Sequence, residues 1–353
     1  MRKIIFLTLS IVALTVSAQR VELLKQQKLS QWAIAPGNYS GITPLGNDRY
    51  AVVSDKDSAD GFHIWKIELN SGTGIVTNVE DEGFFANPTP KVNHNGISLR
   101  DCEDIVYFKP ANTVFICGEG DQEILEYAMD GKPTGRRLEV PAMFGKDKIS
   151  ANLGFEALAY DEKNHCFWTM TESTLPADGL HTSPQTPSIL NVMRLLCFND
   201  SLKCIGQYAY RMNVGTTKKD GTHYAYGVPA MTVLPDGTLL VMEREANVST
   251  TKLRGETFIR IFTVEPTKDN LVEESESLRN FDITKFVQKR QLTSFSTKVN
   301  PPSVQLANYE GMCVGPTLEA NRRTLLLLND SQNNAGIKIA HLKDYIKVVI
   351  LYQ

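Results

Sequence analysis

One pattern constrains this chain more than any other: a paired-strand unit recurs five times. Each unit has a short polar lead-in, an apolar-rich strand, a turn, a second strand and a closing acid. Tyr39-Ser40-Gly41-Ile42-Thr43 leads through Gly46-Asn47 to Tyr50-Ala51-Val52-Val53-Ser54-Asp55. Cys102-Glu103-Asp104-Ile105 leads to Val114-Phe115-Ile116-Cys117-Gly118-Glu119, and Phe155-Glu156-Ala157-Leu158 to Cys166-Phe167-Trp168-Thr169-Met170-Thr171-Glu172. Val228-Pro229-Ala230-Met231 turns at Pro235-Asp236-Gly237 into Leu239-Leu240-Val241-Met242-Glu243. Tyr309-Glu310-Gly311-Met312 returns as Thr324-Leu325-Leu326-Leu327-Leu328-Asn329-Asp330.

A second hairpin of alternating character follows each first one, as in residues 63–69 with 74–79 and 193–198 with 204–210. Apolar–polar alternation with Gly, Asn, Asp and Pro at the turns marks half-buried antiparallel strands. Two hairpins make a four-stranded sheet, the size of one propeller blade. The expected fold is all-β: a β-propeller of four-stranded antiparallel blades. Five blades are visible, residues 280–304 leave room for a sixth, and residues 21–29 offer a strand to close the ring. A β-sandwich with irregular hairpins is the competing architecture. Residues 178–187, 214–222 and 266–279 read as surface loops on the blades.

The repeat also places its acids. In a hairpin the start of the first strand and the end of the second share an edge. The leading acids Glu103, Glu156 and Glu310 therefore share an edge with the trailing acids Asp55, Glu119, Glu172, Glu243 and Asp330. With first strands innermost, all eight approach one mouth of a central channel, neighbouring strands being about 4.8 Å apart. Crowded carboxylates raise one another's pKa. A hard cation such as Ca²⁺ relieves this, helped by amides such as Asn152, Asn308 and Asn333. So does a split into one protonated and one ionised group, the arrangement acid–base chemistry uses. Arg100, Arg194 and Arg244 are candidates to neutralise part of the charge or to grip an anionic substrate. The plainer alternative gives the acids to loop capping and salt bridges between blades, with Glu243-Arg244 an example.

Arg2 and Lys3, the apolar run of residues 4–16 and the small-residue site Val16-Ser17-Ala18 form a secretory signal, cleaved near Ala18. The expected organisation is a signal at 1–18 and a single domain over 19–353, exported to the periplasm or beyond. No later run reaches the roughly 18 apolar residues of a membrane helix. Losing the signal moves the formal charge from −3 to about −5, which disfavours nucleic acid and anionic membranes as partners. A monomer acting on a small or sugar-like molecule is expected.

Six cysteines include Cys197 and Cys204, which flank the turn Asn199-Asp200-Ser201-Leu202 and are candidates for a cross-strand disulfide. The other four read as small buried residues, and without a CxxC pair a structural zinc site is not expected. GxSxG, HExxH and P-loop motifs are absent. The six histidines lack ligand spacing and read as surface or packing residues, His94 in Asn93-His94-Asn95-Gly96 being the least ordinary.

Asn152-Leu153-Gly154-Phe155-Glu156-Ala157-Leu158-Ala159 followed by Thr171-Glu172-Ser173 resembles the central motif of the phytase-like, "esterase-like activity of phytase" family. Ser40-Gly41-Ile42 with Ser54-Asp55, Asp101-Cys102-Glu103-Asp104-Ile105 with Gly118-Glu119, Leu240-Val241-Met242-Glu243-Arg244, and Asn308-Tyr309-Glu310-Gly311-Met312 with Asn329-Asp330-Ser331-Gln332-Asn333 agree in order. The resemblance spans nearly the whole chain after the signal. It implies a β-propeller, export, and hydrolysis of ester or phosphoester bonds. The chain departs from the pattern at Asp104 and Ala157, where glycine is usual, and at Pro229, which replaces an acid.

The expectation is a metal-assisted hydrolase of a phosphoester or carboxylic ester, with Ca²⁺ or another divalent cation and no organic cofactor. Glu156, Glu172 and Arg244 are the expected catalytic groups, and Arg100, Asn152 and Arg194 the substrate contacts. Glu103, Glu243, Glu310 and Asp330 are the expected cation ligands. The alternatives are a non-catalytic propeller binding a sugar, peptide or envelope partner, and a calcium-dependent lactonase-like enzyme.

Overall fold

The computed structural model describes residues 20–150, 152–186, 188–217, 222–249, 254–300, 303–337 and 340–352. The expected signal at residues 1–18 lies outside them. The described chain forms five antiparallel blades arranged as a β-propeller. Blade 1 runs Tyr39–Gly46, Arg49–Ser54, Gly61–Leu69 and Val76–Ala86. Blade 2 is Cys102–Phe108, Thr113–Gly118, Glu123–Ala128 and Pro133–Arg137. Blade 3 is Phe155–Asp161, Cys166–Thr171, Val192–Asn199 and Cys204–Arg211. Blade 4 is Thr222–Val233, Leu239–Ser249, Gly255–Glu265 and Gln288–Asn300. Blade 5 starts with Asn308–Val314, Arg323–Asp330 and Tyr345–Leu351, and takes its outermost strand from the other end of the chain.

That last strand is Val21–Leu23, which pairs Val21 with Leu351 and Leu23 with Val349. The N-terminal segment therefore closes the ring, as its sequence suggested. A sixth blade does not form from residues 280–304. Gln288–Asn300 instead pairs along its length with Gly255–Glu265 as the outer strand of blade 4. The long spacer between these strands is held by backbone: the Glu273 and Glu276 carbonyls accept from Arg194 of blade 3.

First strands touch their neighbours in cyclic order, so they line the axis. The core is divided to match, with one apolar cluster between each pair of adjacent blades. Trp65, Tyr39 and Leu328 fill the 5–1 gap, Phe115, Phe167 and Phe198 the 2–3 gap, and Met231, Tyr210 and Val241 the 3–4 gap. Ala230, Ile259 and Leu327 pack between blades 4 and 5, and Phe62, Ile116 and Tyr127 between 1 and 2. Each fully buried Leu, Ile or Phe contributes about 1.5–3 kcal/mol through removal from water.

The proposed disulfide does not form: Cys197 and Cys204 are free thiols. An irregularity in the hairpin sets Cys197 opposite Gly206 and Cys204 opposite Phe198, so the two cysteines are out of register. Cys102, Cys117, Cys166 and Cys313 are buried, as expected.

Candidate functional site at the acidic mouth

All five inner strands carry a similar irregularity, near the start in blades 1, 2, 3 and 5 and further along in blade 4. Tyr39 pairs with Ser54 and Gly41 with Val53, leaving Ser40 as an extra residue. Glu156 is extra between Phe155 and Ala157, and Glu310 between Tyr309 and Gly311. In blade 2, Glu103 and Asp104 together face Cys117; in blade 4, Val228 and Pro229 together face Glu243. A bulge inserts one residue, bends the strand and re-aims a side chain. Here it supplies Ser40, Glu103, Glu156, Pro229 and Glu310, one leading position per blade.

The trailing positions follow from the same register. The Glu119 and Glu172 amides donate to the Asp101 and Gly154 carbonyls, and that of Asp55 to Asn38. Asp330 pairs with Asn308, and Arg244 with Gly227. The trailing set is therefore Asp55, Glu119, Glu172, Arg244 and Asp330. Blade 4 contributes a guanidinium where the others contribute carboxylates.

Glu243, expected as a cation ligand, sits one residue earlier, and a one-residue offset sends a strand side chain to the opposite face. It is wholly buried away from the mouth. There it accepts from the Tyr210 hydroxyl at 2.8 Å and pairs with Lys289.

Arg244 organises the centre. It donates to Glu310 Oε1 at 2.5 Å and to Asn308 Oδ1 at 2.9 Å, pairs with Glu172, and lies 4.0 Å from Glu156 Oε2. Burial works against its charge, but Glu172, Glu310 and Glu156 hold it more firmly protonated than usual. Gly227 is required beside it, because a Cβ there would lie 2.3 Å from Glu172 Cγ.

On the other side of the mouth, ligand oxygens of Asp55, Asp101 and Glu103 lie within 4.8 Å of one another. Lys56 donates to Asp55 at 2.8 Å and also pairs with Asp101. Asp55 Oδ1 is buried without a hydrogen-bond partner. Asp101 was not among the expected ligands. The signal for it was its place directly opposite Glu119, with a left-handed φ of 53°.

The electrostatics tie the two sides into one cluster. Burial raises the Glu103 pKa well above the usual range, reinforced by Asp55, Glu310, Asp101 and Glu119. Glu156 is raised by burial, then by Glu172 and Glu103. Glu310 is raised by burial and by Asp330, against the pull of Arg244. Glu119 rises to about 7 through burial, although it accepts the Gly154 amide at 3.0 Å. Asp330 also rises to about 7, through burial and Asp55, despite hydrogen bonds from Gln332. Glu156 and Glu310 remain 13% and 15% exposed at their side chains, so their tips reach solvent.

The remaining expected residues lie elsewhere. Arg100 turns away along blade 2, donating to the Ile116 and Glu123 carbonyls at 3.0 and 2.9 Å. Arg194 is consumed by a two-point pair with Asp178 and by Gln207, holding blade 3 to the blade 4 spacer. Both act within the framework: Arg194 meets buried partners, and Arg100 is held through Nη2 with its Nε 3.5 Å from Asp121. Asn152 is exposed in the turn before blade 3, with φ 56°. His94 is exposed on the loop before blade 2.

Fold and mouth together define the class: a five-bladed propeller whose axis ends in a cluster of coupled carboxylates. Residues 34–334 match the Phytase-like family, described as esterase-like activity of phytase, and the chain belongs to that family. Among curated proteins none matches significantly. Among solved structures, a member of the duf4221 family from Bacteroides vulgatus is 9% identical, covering 94% of this chain and 98% of its own, with a TM-score of 0.40. An α-L-arabinofuranosidase from Podospora anserina, solved with cellotriose, is 10% identical, covering 94% and 95%, with a TM-score of 0.36. Similarity at that level says nothing about the chemistry of the mouth.

Proposed function

We propose that the mouth is the active site of an exported hydrolase cleaving phosphoester or carboxylic ester bonds in a small or sugar-like molecule. The observation that carries this reading is the convergence of Asp55, Asp101, Glu103, Glu119, Glu156, Glu172, Glu310 and Asp330 at one mouth, with Arg244 beside Glu156, Glu172 and Glu310. So many acids brought from four blades to one partly dry opening cost stability unless they have work to do.

Asp55, Asp101 and Glu103 fit a hard divalent cation. They offer only oxygen, and one buried Asp55 oxygen has no partner; Lys56, whose ammonium pairs with Asp55 and Asp101, would give way to the ion. Ca²⁺ bound there would polarise an ester or phosphoryl oxygen and make a nearby water more acidic.

The chain's own groups divide the proton work. Burial and Glu172 favour the neutral form of Glu156, against the pull of Arg244, which suits it to protonate the departing oxygen. Glu119, titrating near 7, is suited to accept a proton from water. Arg244 holds Glu172 and Glu310 in place and balances their charge.

A panel of chromogenic phosphate, acyl and lactone esters, assayed with Ca²⁺, tests the reading. Glu156→Gln is expected to lower turnover by about 100-fold or more while leaving the thermal midpoint unimpaired. Activity that is absent, or indifferent to Glu156→Gln, would point instead to a platform that binds a sugar, peptide or envelope partner.

A further inference from the structure

We propose that the seam between blades 4 and 5 is a second binding site, for an extended acidic oligosaccharide such as an oligogalacturonate. It is independent of the reading of the mouth. Two adjoining hollows of about 420 and 430 Å³ lie along this seam and share Lys25, Gln26 and Gln305. One wall is residues 295–298 of the outer strand of blade 4. The other is the ring-closing segment, with Lys343, Tyr345 and Lys347 of blade 5.

The charge of the lining runs against the composition of the chain. The whole sequence has 40 acidic and 37 basic residues. The hollows are nevertheless lined by Lys25, Lys28, Lys298, Lys343 and Lys347, with no Asp, Glu or Arg. Lys347 is spent on the fold: it is buried, bonds the Leu24 carbonyl and lies 5.0 Å from the Phe295 ring centre. Lys298 meets Glu256 at 2.9 Å. Lys25, Lys28 and Lys343 are exposed and make no ion pair with a carboxylate among the described residues. Lys28 stands close enough to Lys343 to weaken its hold on a proton. Like charges gathered over a preformed hollow are relieved by a ligand that brings negative charge.

The ligand's shape follows from which donors are present. A compact phosphate is best gripped by an arginine fork or a nest of amides, and the lining has no arginine. Spaced ammonium groups instead suit carboxylates repeated along a chain. The half-buried Phe295 ring offers apolar surface for the face of a sugar, whereas Tyr345 belongs to the buried wall, its hydroxyl donating to the Val304 carbonyl at 3.1 Å. The exposed Gln305 side-chain amide can both donate to and accept from hydroxyls. The floor is fixed, since Gln26 donates to the Gln305 carbonyl at 3.1 Å and accepts from the Tyr309 hydroxyl at 3.0 Å.

Calorimetric titration of the purified protein with tetragalacturonate tests the site, with cellotetraose, a heparin tetrasaccharide and inorganic phosphate as comparisons. Tetragalacturonate is expected to bind more tightly than the other three, and less tightly as salt is raised. The double variant Lys28→Gln/Lys343→Gln is expected to lose about tenfold in affinity, roughly two exposed ion pairs' worth, with an unchanged circular dichroism spectrum. Glu156→Gln is expected to bind like wild type, which separates this site from the mouth. Equal binding of cellotetraose, equal or tighter binding of heparin or phosphate, no binding at all, or indifference to the double variant would each overturn the proposal.

Discussion

The two ends of the central channel are built from the same five strands and differ completely in character. At one end lies the carboxylate cluster around Arg244. At the other, a hollow of about 280 Å³ is lined by Ile42, Ile105, Leu158, Met231 and Met312, with Tyr107 and Tyr160 near its edge. There the ladders of blades 3, 4 and 5 run in regular register, with Leu158 opposite Thr169, Met231 opposite Val241 and Met312 opposite Leu327. The distinction comes from one extra residue per inner strand. It turns Glu103, Glu156 and Glu310 out of the pleat at one end and leaves the other end to ordinary packing.

Asp104 marks the boundary between them. It is buried and accepts the Leu158 and Ile105 amides, each at 2.8 Å, so it ties blade 2 to blade 3 without joining the mouth. A single strand can therefore carry stability in one half and chemistry in the other.

The strongest way to break this contrast is Arg244→Met. It leaves Glu172 and Glu310 buried without their cation and is expected to cost about 3–5 kcal/mol, read by urea denaturation. A cost under 1 kcal/mol would mean that the carboxylates adjust without the guanidinium. Leu158→Ala tests the opposite end. A buried leucine truncated in a packed wall is expected to cost about 2–4 kcal/mol, with activity per folded molecule unchanged. Loss of activity without loss of stability would erase the division of labour.

The pH dependence of stability is a smaller effect and sharpens the same comparison. A carboxylate whose pKa is higher in the folded state binds more protons there. Its contribution is full below the ordinary unfolded value and is lost as pH rises through the folded one. Glu119 and Asp330, both raised to about 7, place this window between roughly pH 4 and 7. The metal-free protein is therefore expected to melt several degrees lower at pH 8 than at pH 5, and added Ca²⁺ to restore more of the midpoint at pH 8. A midpoint that rises over this range would show that the mouth is not under charge stress.

Much of this was legible in the residues. The five hairpins, the closing N-terminal strand and the shared edge of Glu103, Glu156, Glu172, Glu310 and Asp330 all follow from alternation and turn chemistry. Side-chain direction near the bulges did not. Alternation alone makes Glu243 and Arg244 equivalent candidates. Only the register, with Gly227 opposite Arg244, decides which one faces the axis. Arg100 and Arg194 looked like free cations because their partners are backbone carbonyls and a distant Asp178, which no local pattern reveals. Asp101 was passed over because it precedes the strand, and its left-handed backbone is what accompanies its turn toward Asp55 and Glu103. The outer strand of blade 4 looked like a sixth blade because it is polar and weakly alternating, as a solvent-facing edge strand is free to be.

Calcium titration of the purified protein by calorimetry tests the central claim most directly. One cation per chain is expected for wild type and for the surface control Glu139→Gln, whose carboxylate pairs with Lys203 away from the mouth, with affinity at least tenfold weaker in Glu103→Gln. No binding heat in wild type, or a Glu103→Gln isotherm that overlays it, would contradict the account.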